Sequence, residues 1–542
     1  MRLPIVVGAL LLLTAATPGH ERPVGAAWRQ DLDLIARELP RRHPNAFARL
    51  PRATWDSAVR ALGRRLPGLG RSQAQVALME LVALVHDGHT ALNPLFDPAF
   101  QWHYYPVRYE LFEDGLYIRA ADSAHARLAG AKVLRIGRLA ASDALKAVAR
   151  TISGENEWWI KTSAAGRLML AEELEGLGIT EDAAHLPVVI ARDGVEERVV
   201  LEPAGLLTPA GHNPAGPIDM RRWVNMRTAP APLWEQQHDK VYWSAWLPES
   251  RMLYVCYRGV IDAPPPGNQE FWRGVFAQAD SLPVERLVID LRNNGGGNSF
   301  YNRQVVRGLV ARPALDRRDR LFVLVSGRTF SAAMNLVLDL EQWTNATFVG
   351  EPTGNATNFF GDHRPLLLPA SGLTVNISTL PWYASDPRDH RDFVPPALYA
   401  PISSDDYRAG RDPALAAILD PASHLTLDAA IAPLEARNDT ATVLAELSRY
   451  RDQPVNRFHS SEAEINALGY ALLRRGKPPM ARAVFRANTA LYPGSANVWD
   501  SMGESLVTSG DTTAGVAAYR KALAIDSTYP SSRQALQHLG VR

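Results

Sequence analysis

Two strand–turn–helix units about thirty residues apart carry the side chains and amides that could do chemistry in this chain. The second unit runs from the apolar stretch Leu321–Val325 through Ser326-Gly327-Arg328 into Thr329-Phe330-Ser331-Ala332-Ala333. Ser331 is thereby expected at the start of a helix that follows a buried strand. A hydroxyl there is exposed at a strand end, near free N–H donors and the positive end of a helix dipole. In the first unit, Leu287–Leu291 is apolar except for Asp290 and leads into Asn293-Asn294-Gly295-Gly296-Gly297. Three glycines permit positive φ and leave backbone amides uncovered. The chemistry that fits is serine acyl transfer, in which Ser331 attacks a carbonyl. The amides of Gly295, Gly296 and Ala332 would then hold the oxyanion, and one such donor is typically worth about 10²–10³ in rate. Taken singly, Ser331 also reads as an N-cap and the glycines as a tight loop; the two units together favour the chemical reading.

Asp290–Gly297 (DLRNNGGG), Ser326–Ala333 (SGRTFSAA) and Val349–Asp362 (VGEPTGNATNFFGD) resemble the C-terminal processing, or tail-specific, protease family. The resemblance spans roughly Trp28–Asp412. It implies a core like the ββα spiral of crotonase and ClpP, Ser331 as nucleophile, and Gly295 and Gly296 in the oxyanion hole. The tail-specific branch takes its base from a lysine in a Gly-Lys-Gly turn some two dozen residues after the serine. Here that turn reads Thr353-Gly354-Asn355-Ala356, and no lysine lies between Lys240 and Lys477. An asparagine cannot accept a proton as a base, so the expected base is a histidine. His89, in Val85-His86-Asp87-Gly88-His89-Thr90, is the candidate, because the tricorn protease core takes a histidine from the corresponding N-terminal region. His86 is the reserve. The same His-x-x-His pair lacks a third metal ligand and is broken by Gly88, so neither metal nor cofactor is expected. Asp389 and Arg391 match the family's Asp-x-Arg pattern. Asp389 is therefore the candidate to orient the histidine, with an ordinary surface-turn pair as the alternative. Glu351 and His363 are further polar candidates for the pocket.

The elements that must position these groups follow from periodicity. Leu32, Leu34-Ile35 and Leu39, then Trp55, Val59 and Leu62, then Val76, Leu78 and Leu81–Leu84 recur at helical spacing. A strand pair is expected over Tyr104–Tyr109 and Gly115–Ala120. From Leu128 to Pro203 the pattern resembles the family's PDZ-like insertion, interrupted by a helical segment over Trp158–Gly178. Such a module binds an extended peptide end by adding a strand. In the tail, a pattern around Leu468-Gly469-Tyr470, Val484-Phe485 and Ala490 returns thirty-four residues later around Met502-Gly503-Glu504, Ala518-Tyr519 and Ala524. That is the tetratricopeptide period.

The expected fold is multidomain α/β. A signal peptide occupies 1–16, an N-terminal helical domain with a strand pair 24–122, and a PDZ-like module 125–203. A linker or loop follows at 204–240, then a ClpP/crotonase-like peptidase core at 241–419 and helical repeats at 425–542.

Composition removes several function classes. A net charge of +1 offers no electrostatic case for nucleic acid or an anionic surface. The single cysteine, Cys256, lies in an apolar run and excludes a disulfide framework within the chain. Leu3–Thr14 is almost wholly apolar after one arginine and precedes Ala15-Ala16, the pattern of a secretory signal too short for a comfortable membrane span. Export, into a bacterial periplasm, is the expectation. Three readings follow. The first is an exported serine endopeptidase acting on peptides or unfolded protein. The second is a catalytically silent relative binding peptide or an apolar ligand. The third is a scaffold whose helical repeats dock a protein partner.

Overall fold

The computed structural model describes residues 24–207, 222–419 and 427–541 of a mixed α/β chain; the expected signal segment 1–16 lies outside them. Its centre is a six-stranded sheet whose strands follow chain order: Tyr242–Leu247, Met252–Tyr257, Arg286–Asp290, Leu321–Val325, Thr347–Gly350 and Leu398–Tyr399. Only the first pairing is antiparallel. Parallel neighbours need crossovers, supplied by the helices Asn268–Ser281, Asn302–Val310 and Ala332–Trp343. Helices and loops cover both faces, so Leu321–Val325 is buried at every residue, as its unbroken apolar run predicts. Each such Val or Leu removed from water stabilises the fold by roughly 1.5–3 kcal/mol.

The helices Trp28–Arg42, Arg52–Arg65 and Arg71–Ala83 form the N-terminal region where their spacing placed them. What they pack around was not expected. The hairpin Arg364–Leu367 with Thr374–Ile377, numbered within the segment 241–419, buries Leu366, Leu368, Leu373, Val375 and Ile377 among Leu32, Ile35, Leu39 and Trp55. The fully buried Asp31 carboxylate holds its tip, accepting the N–H of Ala370 at 2.9 Å and of Ser371 at 2.8 Å. Asn376 also pairs with Ala91, two residues past His89.

Val107–Phe112 and Gly115–Asp122 are antiparallel partners, but they share one sheet with Lys132–Ile136, Leu186–Arg192 and Val195–Leu201. The boundary expected at 122/125 therefore runs through a sheet. The stretch 204–240 is likewise not a plain linker. Gly205–Leu206 pairs with His103–Tyr104, and Trp223–Asn225 pairs with Ala120–Asp122.

In the tail, helices begin at Glu462, Pro478, Ala496, Thr512 and Pro530, so that starts recur after thirty-four residues. Equivalent glycines allow the helices to touch. A Cβ on Gly469 would come within 2.6 Å of the Phe485 ring, and one on Gly503 within 2.8 Å of Tyr519. Phe458 packs against Trp158 and Tyr399, seating this region on the rest of the chain.

One buried ion cluster locks the glycine-turn end of the sheet. Arg292 donates to Asp290 at 2.6 Å and to Asp412 at 2.7 Å, and Tyr254 donates to Asp290 at 2.6 Å. Removing the shared cation leaves two carboxylates unpaired in the interior. Arg292→Ala is expected to lower stability by about 3–5 kcal/mol, measured by urea denaturation; a loss within the range of a surface substitution would show the cluster contributes nothing.

Candidate active site

Both strand–turn–helix units end on the same side of the sheet, outside the carboxyl ends of its strands, the usual crevice position in parallel sheets. Their turns are stitched together. Phe330 N–H donates to Asn294 O (3.0 Å), the Thr329 hydroxyl to Leu291 O (2.9 Å), and the Ser326 hydroxyl to Arg292 O (2.6 Å). Ser331 sits where this stitched turn becomes a helix, at φ 57°, ψ −124°. A non-glycine residue at positive φ there costs of order 1–3 kcal/mol and is held only by its surroundings. The holder is Asn355, whose Oδ1 accepts the Ser331 N–H at 2.6 Å.

The expected oxyanion donors divide. Among the described residues, no acceptor takes the N–H of Gly295, Gly297 or Ala332, and Gly295 and Gly297 are exposed. The Gly296 N–H is already committed to Asn294 Oδ1 at 2.9 Å. Gly296 contributes proximity instead. At φ +103° its Cα lies so close that an added Cβ would be 2.6 Å from Ser331 Cβ and 2.8 Å from Ala332 N.

Ser331, His89, Gly295, Gly297 and Ala332 line one cavity of about 840 Å³, together with Trp159, Phe330, Asn335, Phe359, His363 and Trp382. The His89 ring stacks on Phe330 at 4.7 Å and Phe359 at 5.7 Å. Its Nδ1 is buried and has no hydrogen-bond partner among the described residues. Burial lowers the His89 pKa against the opposing charge of Asp87, which favours a neutral ring able to accept a proton.

Behind His89 lie two carboxyl groups that the sequence did not single out. Burial disfavours the Asp87 anion, yet the hydrogen bond from His43 Nε2 at 3.0 Å, the charge interaction with the His89 ring and the Thr90 hydroxyl at 2.5 Å outweigh it and hold it below the usual carboxylate range; the His89 N–H also donates to it at 3.1 Å. The Asn45 N–H donates to His43 Nδ1 at 3.0 Å, so His43 carries its proton toward Asp87. Glu155 behaves oppositely. Burial, then the neighbouring Asp87 charge, push it up to about 8. It accepts the Gly88 N–H at 3.2 Å and Asn355 Nδ2 at 3.0 Å. Donor atoms of Asp87, His89 and Glu155 lie within 4.8 Å of one another, a spacing that could also hold a cation, so the third ligand that the His-x-x-His reading lacked is present in space, with His86 not among the three.

Other expected residues lie elsewhere. Asp389 does not line the cavity. Its carboxylate takes Arg391 at 2.7 Å and Ser385 at 2.7 Å, and Arg391 also grips Glu341 at 2.8 Å. Here the surface-turn alternative describes the geometry, because Asp-x-Arg is satisfied locally. His86, at φ 54°, is exposed and lines a different cavity beside Leu84 and Ile160, so it does not converge with His89. Glu351 pairs with Lys161 at 3.6 Å over a separate small cavity, which also places that lysine away from Ser331. His363 stands exposed at the cavity wall. Asp87 and Asn355 had weak signals, flanking His89 and filling the lysine position. Glu155 had none.

Among solved structures, the fold is similar to mature CPAF complexed with lactacystin, with 14% identity, TM-score 0.52, and 77% of this chain covering 100% of that one. Uncomplexed mature CPAF gives 15% identity and TM-score 0.51, over 77% of this chain and 98% of that one. A photosystem II D1 C-terminal processing protease matches at 15% identity and TM-score 0.33, over 71% of this chain and 98% of the other. No family model and no curated protein sequence matches the chain.

Glu155 makes a stability prediction. Its folded-state pKa of about 8 stands above the ordinary 4.5, so between those values the folded chain holds a proton that the unfolded chain has released. Its contribution is fully present below about pH 4.5 and is lost as pH rises through about 8. Glu155→Gln should flatten the decline in thermal midpoint between pH 5 and pH 8 relative to wild type. Equal slopes in the two proteins would remove Glu155 as the cause.

Proposed function

We propose that this chain is a serine peptidase that cleaves peptide bonds through an acyl-enzyme, with Ser331 as nucleophile and His89 as base. The observation that carries the reading is the shared cavity. A strained Ser331, the uncommitted amides of Gly295, Gly297 and Ala332, and a histidine kept neutral by burial all face it. The fold likeness to CPAF supports the architecture.

In the first step Ser331 Oγ bonds to the carbonyl carbon while its proton passes to His89. The carbonyl pair moves onto oxygen, where backbone N–H groups hold the charge. Collapse expels the amine, which takes the proton back from His89. Water then repeats the sequence, releasing the acid and restoring Ser331. Asp87, ionised behind the ring, stabilises the transient imidazolium. Within this proposal the sheet of 107–201 is the family's PDZ-like insertion and the thirty-four-residue helical pairs are tetratricopeptide repeats. The N-terminal apolar segment directs export to a periplasm, and the substrates are peptides or unfolded proteins.

The test is hydrolysis of denatured casein, alongside fluorophosphonate labelling, for wild type, Ser331→Ala and His89→Ala, with lactacystin as a competitor. Labelling should vanish in Ser331→Ala, and kcat/KM should fall by about 10³-fold or more in both variants. Retained activity in His89→Ala would transfer the base to His363. An unlabelled, inert wild type would leave a binding protein. Because burial lowers the His89 pKa, the acid limb of the rate profile should lie below the ordinary histidine value of 6.5. An acid limb above 6.5 would contradict His89 as the base.

A further inference from the structure

The first turn of the helix Glu157–Arg167 touches the Ser331 site at three points. The Trp159 ring stacks at 4.2 Å on Phe330, the residue before Ser331. The Trp158 carbonyl lies so close to Gly327, in the same turn as Ser331, that a Cβ on Gly327 would stand 2.5 Å from its oxygen. Asn156 caps the helix: its Oδ1 accepts the N–H groups of Trp158 and Trp159 at 3.0 Å each, while its Nδ2 donates to Thr353 O at 3.1 Å. Thr353 opens the turn whose Asn355 holds the Ser331 N–H. A shift of this helix therefore disturbs both turns that fix Ser331.

The other side of Trp158 is covered from the helical tail. Between the tail helices Val443–Arg451 and Glu462–Arg474, buried Asn456 donates its Nδ2–H to Tyr450 O at 2.7 Å and ties the connecting loop to its helix. From that loop Phe458 meets the rings of Trp158 at 5.7 Å, Tyr399 at 5.1 Å and Phe393 at 6.1 Å, each edge to face. Such pairs are directional and add to what burial alone supplies. Cations close the cluster, with Arg457 at 5.3 Å from the Phe458 ring and Lys161 at 5.0 Å from the Trp158 ring. Trp158 is thus buried at 5% exposure with its ring on the tail and its backbone on the nucleophile turn.

We infer that Phe458 is a positioning residue for the Ser331 site: through Trp158 it seats the helix Glu157–Arg167 against the turns that hold Ser331, so the helical tail sets how well the site is organised. The effect on turnover rests on the peptidase reading, whereas the mechanical coupling does not. Packed side chains carry coupling only where loosening one end changes the other, and both ends can be measured.

The experiment compares full-length wild type, Phe458→Ala, Phe458→Leu and Phe458→Tyr by fluorophosphonate labelling rate, casein-peptide kinetics and amide hydrogen exchange. In Phe458→Ala, labelling rate and kcat should fall at least about tenfold with KM within about twofold, because the nucleophile is misplaced while the cavity remains. Exchange of the amides at 326–333 should rise by a similar factor. Phe458→Tyr keeps the ring and should restore all three. Phe458→Leu fills the seat without a ring and should show the same split at smaller size, so the test stands even if Phe458→Ala unfolds the tail. Labelling and 326–333 exchange equal to wild type in both Phe458→Ala and Phe458→Leu, whatever their thermal midpoints, overturns the inference. Faster 326–333 exchange in variants of a protein that no fluorophosphonate labels sustains the coupling and overturns the peptidase.

Discussion

The site depends on one carboxamide. Asn355 accepts the Ser331 N–H through Oδ1 and donates through Nδ2 to Glu155, whose other oxygen receives the Gly88 N–H. A hydrogen-bonded path therefore runs from the backbone of the proposed nucleophile to the backbone beside the proposed base, although the two are contributed by distant parts of the chain. Asn355 is fully buried. Inside a protein each missing partner on such a path costs the full desolvation of the group left behind. That asymmetry, more than the gain from any one bond, holds Ser331 at a φ it would not adopt freely. It also gives a physical role to the asparagine found where the sequence resemblance alone would lead one to expect a lysine. A lysine in this position would offer donors only and could not accept the Ser331 amide.

Packing completes what the carboxamide begins. Phe330 immediately precedes Ser331, and its ring lies against His89 on one side and Trp159 on another. Gly88 must be glycine for this approach, since a Cβ there would stand 2.6 Å from the Phe330 ring. The hairpin Arg364–Ile377 then binds the two regions together, because it leaves the core sequence to bury its apolar face among the N-terminal helices. His89 thus lies beside a core that the hairpin shares with the N-terminal helices, while the helix after Ser331 packs in a second core. Hinge-like independence of the two regions would cost the burial of Leu366, Leu368, Leu373, Val375 and Ile377.

Much of the core was legible because its signals are local. Leu321–Val325 is a strand with those same limits, and the helix after Ser331 begins at Ala332, since an apolar run and a following turn carry their meaning within ten residues. The repeat of helix starts in the tail was equally visible as a period. The hairpin at 364–377 alternates in sequence, but alternation says only that one face is buried, not against what. Asp389 misled for a related reason: a motif of an acid and an arginine two residues apart satisfies itself in a turn and needs no active site. The commitment of Gly296 to Asn294 was readable in principle, as an asparagine side chain commonly caps the amide two residues on. Glu155 was not readable, because its significance is burial, and burial beside Asp87 exists only after folding.

In the proposed mechanism, that pair of carboxyl groups explains how a neutral histidine would act as base. Two anions beside a partly buried imidazole would raise its pKa and hold it protonated, unable to take a proton from Ser331. Two neutral acids would leave no charge to stabilise the imidazolium once formed. The structure avoids both by giving the groups different surroundings. Both are buried, but Asp87 accepts from His43, Thr90 and the His89 amide, whereas Glu155 accepts from a carboxamide and one amide N–H. Near neutral pH the cluster then holds a single negative charge, with the second proton kept on Glu155. One anion against one transient cation is the balance a serine–histidine pair requires. In this chain it is set by placing more hydrogen-bond donors on Asp87 than on its neighbour Glu155.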